Sequence, residues 1–124
     1  MDAPAIALYL GKLAAYEALA QFQGRNVCND DVRPAYSTCA RVIVFSLPDS
    51  VLTAIVAGTT PSMWDVEDED FQREQHKYFG TRWDHADEKT KKAILAWYVI
   101  SGEARTWIEN IRGHVPASWD DVEW

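Results

Sequence analysis

Apolar and polar positions along most of this chain follow helical rather than strand spacing, and the clearest run is 87–113, DEKTKKAILAWYVISGEARTWIENIRG. Ile94, Trp97, Tyr98, Ser101, Ala104, Arg105, Ile108 and Ile111 fall at three- and four-residue steps, the spacing of one helical face. Ala93, Ala96, Ile100, Trp107 and Ile111 form a second line beside it. The combined stripe is wider than a helix resting on a surface needs, so the pattern predicts a helix buried on most sides at its middle. The ends carry matching signals: Asp84 or Asp87 as N-cap, Arg112 in the last turn, Gly113 for a left-handed cap and Pro116 beyond it. An interior Gly102 costs about 1 kcal/mol relative to Ala, which predicts a close helix crossing at that point.

The rest of the chain reads as material to pack around this helix. Residues 3–23 predict a first helix, capped by Asp2, ended by Gly24, with a stripe of Ile6, Tyr9, Leu10, Leu13, Tyr16 and Ala20. Its many alanines permit close approach of another helix. Residues 25–32 read as a polar connection. Tyr36, Cys39, Ala40, Ile43 and Leu47 then keep helical spacing, with Pro34 in the first turn. Within that segment residues 42–45 are β-branched and aromatic, and a short strand fits them equally. Ser46-Leu-Pro-Asp49 has the form of a helix start with a serine cap. It leads into a short apolar helix of Val51, Leu52, Ile55 and Val56 that Gly58 closes. Residues 67–79 predict a fourth helix, with Trp64, Phe71 and Tyr78 seven apart and Gly80 at its end. Residues 81–86 link it to the long helix, and 116–124 form a tail. The expected fold is all-α: one domain, 1–124, of four or five helices in a compact bundle around the long C-terminal helix.

Composition agrees with a packed domain. The chain has 124 residues, 48% hydrophobic and 25% charged, enough for a real core. The opening MDAP is acidic, and Gly11, Lys12 and Glu17 interrupt the first apolar run, so no signal peptide is expected. No apolar run is long enough to span a bilayer. Cys28 and Cys39 lack CxxC spacing and read as reduced thiols. A cytoplasmic location is expected on these grounds.

Charge changes the picture more. The net charge is −7, and it is unevenly spread: residues 61–88 hold nine acids against three bases, whereas 89–112 hold two acids against five bases. Four acids run consecutively at Glu67, Asp68, Glu69 and Asp70. Direct nucleic-acid binding by such a surface is disfavoured, since phosphate contact needs clustered cations. An acidic segment suits a protein partner with a basic surface, or mimicry of a nucleic acid's charge.

An internal echo accompanies the acids. Pro61-Ser-Met-Trp-Asp-Val-Glu-Asp68 resembles Pro116-Ala-Ser-Trp-Asp-Asp-Val-Glu123 with one inserted residue, and Arg82-Trp-Asp84 supplies a third Trp-Asp pair. Recurrent helix starts explain the echo most simply: a cap, an apolar anchor, and an acid at the positive helix end. The alternative is two acidic-aromatic edges of one binding surface, Trp64, Asp65, Glu67, Asp68, Glu69 and Asp70 on one side and Trp119, Asp120 and Asp121 on the other.

Catalytic signals are thin. His76, His85 and His114 stand in no HExxH or zinc-finger spacing. Gln72 occupies the position four before His76 where a second ligand is required, and Arg73 holds the Glu position of Glu-x-x-His. No GxSxG or Gly-rich phosphate loop is present. No metal or cofactor is therefore expected. Lys89, Lys91 and Lys92 form a cationic first turn, read as an exposed helix face balanced by the acids of 65–70 rather than as a phosphate site. Ala54, Gly58, Thr60 and Trp64 match the small residue, turn glycine, cap and apolar contact of a helix-turn-helix corner. The second helix of that corner would present acids to DNA phosphates, which opposes DNA reading. The sequence thus favours a small acidic, non-enzymatic binding protein of inhibitor or immunity type. A helix-turn-helix regulator and an enzyme with an unrecognised carboxylate or His site stand as the alternatives.

Overall fold

A computed structural model of the chain describes residues 3–26, 29–57 and 69–109. Those residues form five α-helices and one short 3-10 turn, with no strand among them. They are α1 (Ala3–Ala20), α2 (Asn29–Ser46), α3 (Asp49–Val56), α4 (Glu69–Phe79), the turn Trp83–His85, and α5 (Glu88–Glu109). The fold is all-α, and α1, α2, α3 and α4 all pack on α5.

Helix α5 starts where its cap dictates. The backbone N–H of Thr90 donates to Asp87 Oδ1 at 2.7 Å, satisfying one donor of the first turn. Ala93, Ile94, Leu95, Ala96, Trp97, Ile100, Ala104 and Ile108 are buried along it. Burying each of the large apolar side chains contributes on the order of 2 kcal/mol before ordering entropy is subtracted. Trp97 is 2% exposed. Its indole N–H donates to the Ser37 carbonyl of α2 at 2.9 Å, so the one polar atom of the ring is satisfied inside the core. Tyr78 and Phe79 of α4 lie against the same ring, with centroids 5.5 and 5.3 Å away. One residue of the expected stripe belongs to the other face: Arg105 is exposed and pairs with Glu109 at 3.1 Å. Ile111, Arg112, Gly113 and Pro116 lie outside the described residues.

The close helix crossing is at Gly11 of α1 and not at Gly102. A Cβ on Gly11 would overlap the Cβ of Glu103 and stand 3.1 Å from the Ala104 nitrogen, whereas one on Gly102 would meet nothing within 4 Å. Around Gly11, α1 buries Ala7, Leu10, Ala14, Ala15, Ala18 and Leu19, and α1 and α5 form the most extensive helix pair. The expected α1 stripe was therefore rotated. Of its members Leu10 is buried, Ile6 and Leu13 are half-buried, and Tyr9, Tyr16 and Ala20 are exposed. The reason is steric: small side chains let two backbones approach, and bulky ones on that face would hold them apart. Helix α1 ends at Ala20 through a turn in which Gln21 and Phe22 donate to Ala18 and Leu19, and Gly24 takes the left-handed φ of +77°.

Helix α2 begins at Asn29, ahead of Pro34, so the supposed polar connection contributes its last residues to the helix, among them the fully buried Val32. Residues 42–45 are helical, resolving the choice against a strand. Val44 and Ile43 face the core, while Val42 and Phe45 are exposed. Ser46 does not cap α3: its hydroxyl donates to the Ile43 carbonyl at 2.7 Å, and α3 opens instead on the Pro48 carbonyl, which accepts from Val51 and Leu52. Lys92 reaches across to Asp49 Oδ1 at 3.0 Å and Thr53 Oγ1 at 2.9 Å. The cation ill-placed at the start of α5 is thus balanced by the first-turn carboxylate of α3; of the acids of 65–70 expected to offset it, residues 65–68 lie outside the described residues. Gly58, and with it the proposed helix-turn-helix corner through Thr60 and Trp64, lies outside the described residues.

Candidate functional site

Helix α4 and the segment that follows it form the one region where the expected acidic site and the described structure overlap. Glu69 is the first described residue of α4, and the predicted helix positions 67 and 68 lie outside the described residues. Its side chain is 91% exposed and approaches Arg73 at 3.8 Å, one turn on. Such an exposed pair contributes only a few tenths of a kcal/mol. Asp70 follows Glu69 in α4. Trp64, Asp65, Glu67 and Asp68, and the second edge of Trp119, Asp120 and Asp121, lie outside the described residues, as do Cys28 and His114.

The inner side of α4 is anchored near its C-terminal end. Tyr78 is buried against Trp97, and Phe79 lies between Trp97 and Phe45, 5.4 Å from the latter. Arg41 of α2 donates to the Tyr78 carbonyl at 3.4 Å and lies over the Tyr78 ring at 5.5 Å. A cation at that carbonyl complements the negative end of α4. The opposite face, Glu69, Gln72, Arg73 and His76, follows the i, i+3, i+4, i+7 spacing of a displayed stripe.

Gly80 then reverses the chain. Its φ is +73°, a conformation open to glycine at little steric cost. Arg82 and His85 return beside the displayed stripe, and two adjacent hollows result. One, of about 370 Å³, is lined by Glu69, Gln72, Arg73, His76 and Arg82. The other, of about 430 Å³, is lined by His76, Gly80, Thr81, Arg82 and His85. His76 and Arg82 belong to both. Among the described residues the lining holds two guanidiniums and two imidazoles against one carboxylate, that of Glu69, which Arg73 already engages.

The reversing segment is held from several directions. Gln75, fully buried, donates its side-chain amide to the Thr81 carbonyl at 3.3 Å. His85 and Ala86 close the 3-10 turn on Arg82 and Trp83. The Lys91 ammonium sits 5.5 Å over the Trp83 ring. Asp87 then caps α5, and the Thr90 backbone N–H, followed by the Thr90 hydroxyl and Lys89, holds its carboxyl below the usual value.

The sequence contains these residues but conceals their grouping. Arg73 and Gln72 read there only as failed metal-ligand positions, and Arg82 and His85 as linker. The available signal is Gly80 set between a His76 face and a basic turn. Among the described residues no group of three or more His, Cys, Asp and Glu side chains is placed to hold a metal ion. No described helix is long and apolar enough to cross a membrane. No family model, curated protein or solved structure matches the chain.

Proposed function

We propose that this is a non-enzymatic binding protein, of inhibitor or immunity type, that engages a basic surface on a protein partner through the acidic stretch leading into α4. The observation that carries the reading is the uninterrupted run Glu67, Asp68, Glu69 and Asp70 entering a peripheral helix whose first acid stands almost fully in solvent. Capping and the helix dipole account for one or two acids there, not for the whole run. Like charges held together oppose folding, so their retention calls for a return, and attraction of a basic partner supplies one. Trp64 beside the run provides the large apolar contact around which such interfaces concentrate their energy, and Trp119 with Asp120 and Asp121 supplies a second edge of similar make-up.

The test is capture from the native host on immobilised protein, followed by a graded salt wash and mass spectrometry. The reading requires a basic protein that is retained at low ionic strength, released progressively as salt rises, and lost when Glu67, Asp68, Glu69 and Asp70 are exchanged for Gln or Asn. A retained protein that ignores both salt and the exchange contradicts it. Retention of the free protein on DNA at low salt would favour the helix-turn-helix alternative.

A further inference from the structure

The groove on α4 has a chemistry opposite to that of the acidic stretch. We infer that the two hollows sharing His76 and Arg82 form a binding site for a phosphate monoester, with Arg82 and His76 on the phosphate and Arg73 and His85 flanking it. Three observations lead there. Guanidinium presents a planar fork of N–H donors that matches phosphate oxygens two at a time, and imidazole adds a single donor. Both arginines and both histidines line two adjoining hollows that share His76 and Arg82, on a molecule whose net charge is −7. Among the described residues, the side chains of His76, Arg82 and His85 make no hydrogen bond or ion pair that would account for their placement.

The segment carrying Arg82 and His85 is also fixed before any ligand arrives. Gly80 sets its direction, Gln75 holds Thr81 from beneath, and the 3-10 turn and the Asp87 cap fix its far end. Holding Thr81 through Gln75 has a cost in stability. Gln75 Oε1 is buried with no hydrogen-bond partner among the described residues, and an apolar residue would fill a core position without leaving that acceptor orphaned. A buried amide kept for the position of one loop is what a preorganised site requires. Glu69 offsets Arg73, and the partial charge at the C-terminal end of α4 and the exposed Asp84 oppose an anion, so the site rests on the directed N–H donors of Arg82, His76 and His85 rather than on net charge. Each hollow is open to solvent and broader than a phosphate ion needs. The ligand is therefore a phosphorylated small molecule rather than a nucleic-acid strand, which requires a longer cationic track.

The experiment is an amide and imidazole chemical-shift titration of the full chain at constant pH and ionic strength. The probes are inorganic phosphate and a ribonucleoside monophosphate, with chloride and acetate as controls. The account expects saturable one-to-one shifts confined to the Gly80, Thr81, Arg82 and His85 amides and the His76 and His85 rings. It expects tighter binding of the nucleotide than of inorganic phosphate. Arg82→Gln should weaken both at least about tenfold, which is 1.4 kcal/mol, with an unchanged melting temperature, since the guanidinium makes no described polar contact. Gln75→Leu should keep the fold and weaken binding by loosening Thr81. Equal shifts with acetate, shifts that track ionic strength alone, or an Arg82→Gln protein that binds as well as the parent would overturn the assignment.

Discussion

Trp97 joins three helices through one side chain, and its truncation is the sharpest probe of the core. The ring is 2% exposed, touches Tyr78 and Phe79 of α4, and donates to Ser37 of α2. Truncation to Ala removes a large aromatic from a site lined by the Tyr78, Phe79 and Tyr98 rings and the Ser37 carbonyl, leaving a cavity that the surrounding helices fill only in part. The expected loss is about 3–5 kcal/mol, a large share of the roughly 5–15 kcal/mol that holds a domain of this size together. Trp97→Phe separates the two contributions. It keeps an aromatic ring but deletes the N–H, while the Ser37 carbonyl keeps its place in the α2 ladder and is not orphaned. The hydrogen bond then accounts for about 1 kcal/mol, and the smaller ring adds a similar cavity cost, so the total is about 1–3 kcal/mol. Urea melts followed by far-UV circular dichroism read both, free of the change in tryptophan emission. With a slope of about 1–3 kcal/mol per molar, Trp97→Ala should lower the midpoint by about 1 M or more. A loss under about 1 kcal/mol for Trp97→Ala, at unchanged slope, would refute the placement of this residue at the centre of the fold.

Other predictions follow from single contacts. Gly11→Ala should destabilise by about 1–3 kcal/mol because its Cβ overlaps Glu103, whereas Gly102→Ala should stabilise by up to about 1 kcal/mol, helix propensity being unopposed there; opposite signs in paired thermal melts check both. Asp87 has a lowered folded pKa, so its contribution to stability is complete above the ordinary Asp range near pH 4 and is lost as pH falls through the folded value. Asp87→Asn should flatten the acid limb of a stability–pH profile below about pH 4, with the loss of stability appearing at neutral pH and vanishing at the acid end, where the carboxylate's contribution is already gone. Cys39 is half-buried, and its thiol pKa is raised by burial and by Glu17. Alkylation at neutral pH should therefore be slow in the native protein, and two thiols should react on denaturation without reductant.

What the sequence made legible was decided by how strongly each segment's chemistry differs from its alternatives. Helix α5 could be placed because its apolar stripe, its Asp87 cap and the identity of Trp97 all point one way. Helix α1 could be placed but not oriented, since it is apolar around nearly all of its surface. Tyr9 and Tyr16 attract attention as core residues, yet the interface selects Ala14, Ala15 and Ala18 because closeness of approach matters more than side-chain size. Gly102 and Gly11 were exchanged for the same reason: a glycine's role depends on which partner faces it, and no local pattern records that. Residues 42–45 have strand propensity, and burial of Ile43 and Val44 against the bundle overrides it. The groove was least visible. Its two halves lie on a helix face and on a turn, and only the reversal at Gly80 brings Arg82 and His85 beside Arg73 and His76.

The measurement that bears most directly on function is binding by a charge-relocated variant. Glu67, Asp68, Glu69 and Asp70 are replaced by Gln or Asn, and the same number of acids is added on exposed positions of α1 and α5, so net charge is preserved. Affinity for the captured partner is then followed by calorimetry over a range of salt concentrations. The account predicts a melting temperature nearly unchanged, binding weakened at least about tenfold, equivalent to 1.4 kcal/mol, and a flattened salt dependence. Unchanged affinity at low ionic strength would reduce the acidic stretch to a solubility feature and contradict the proposed function.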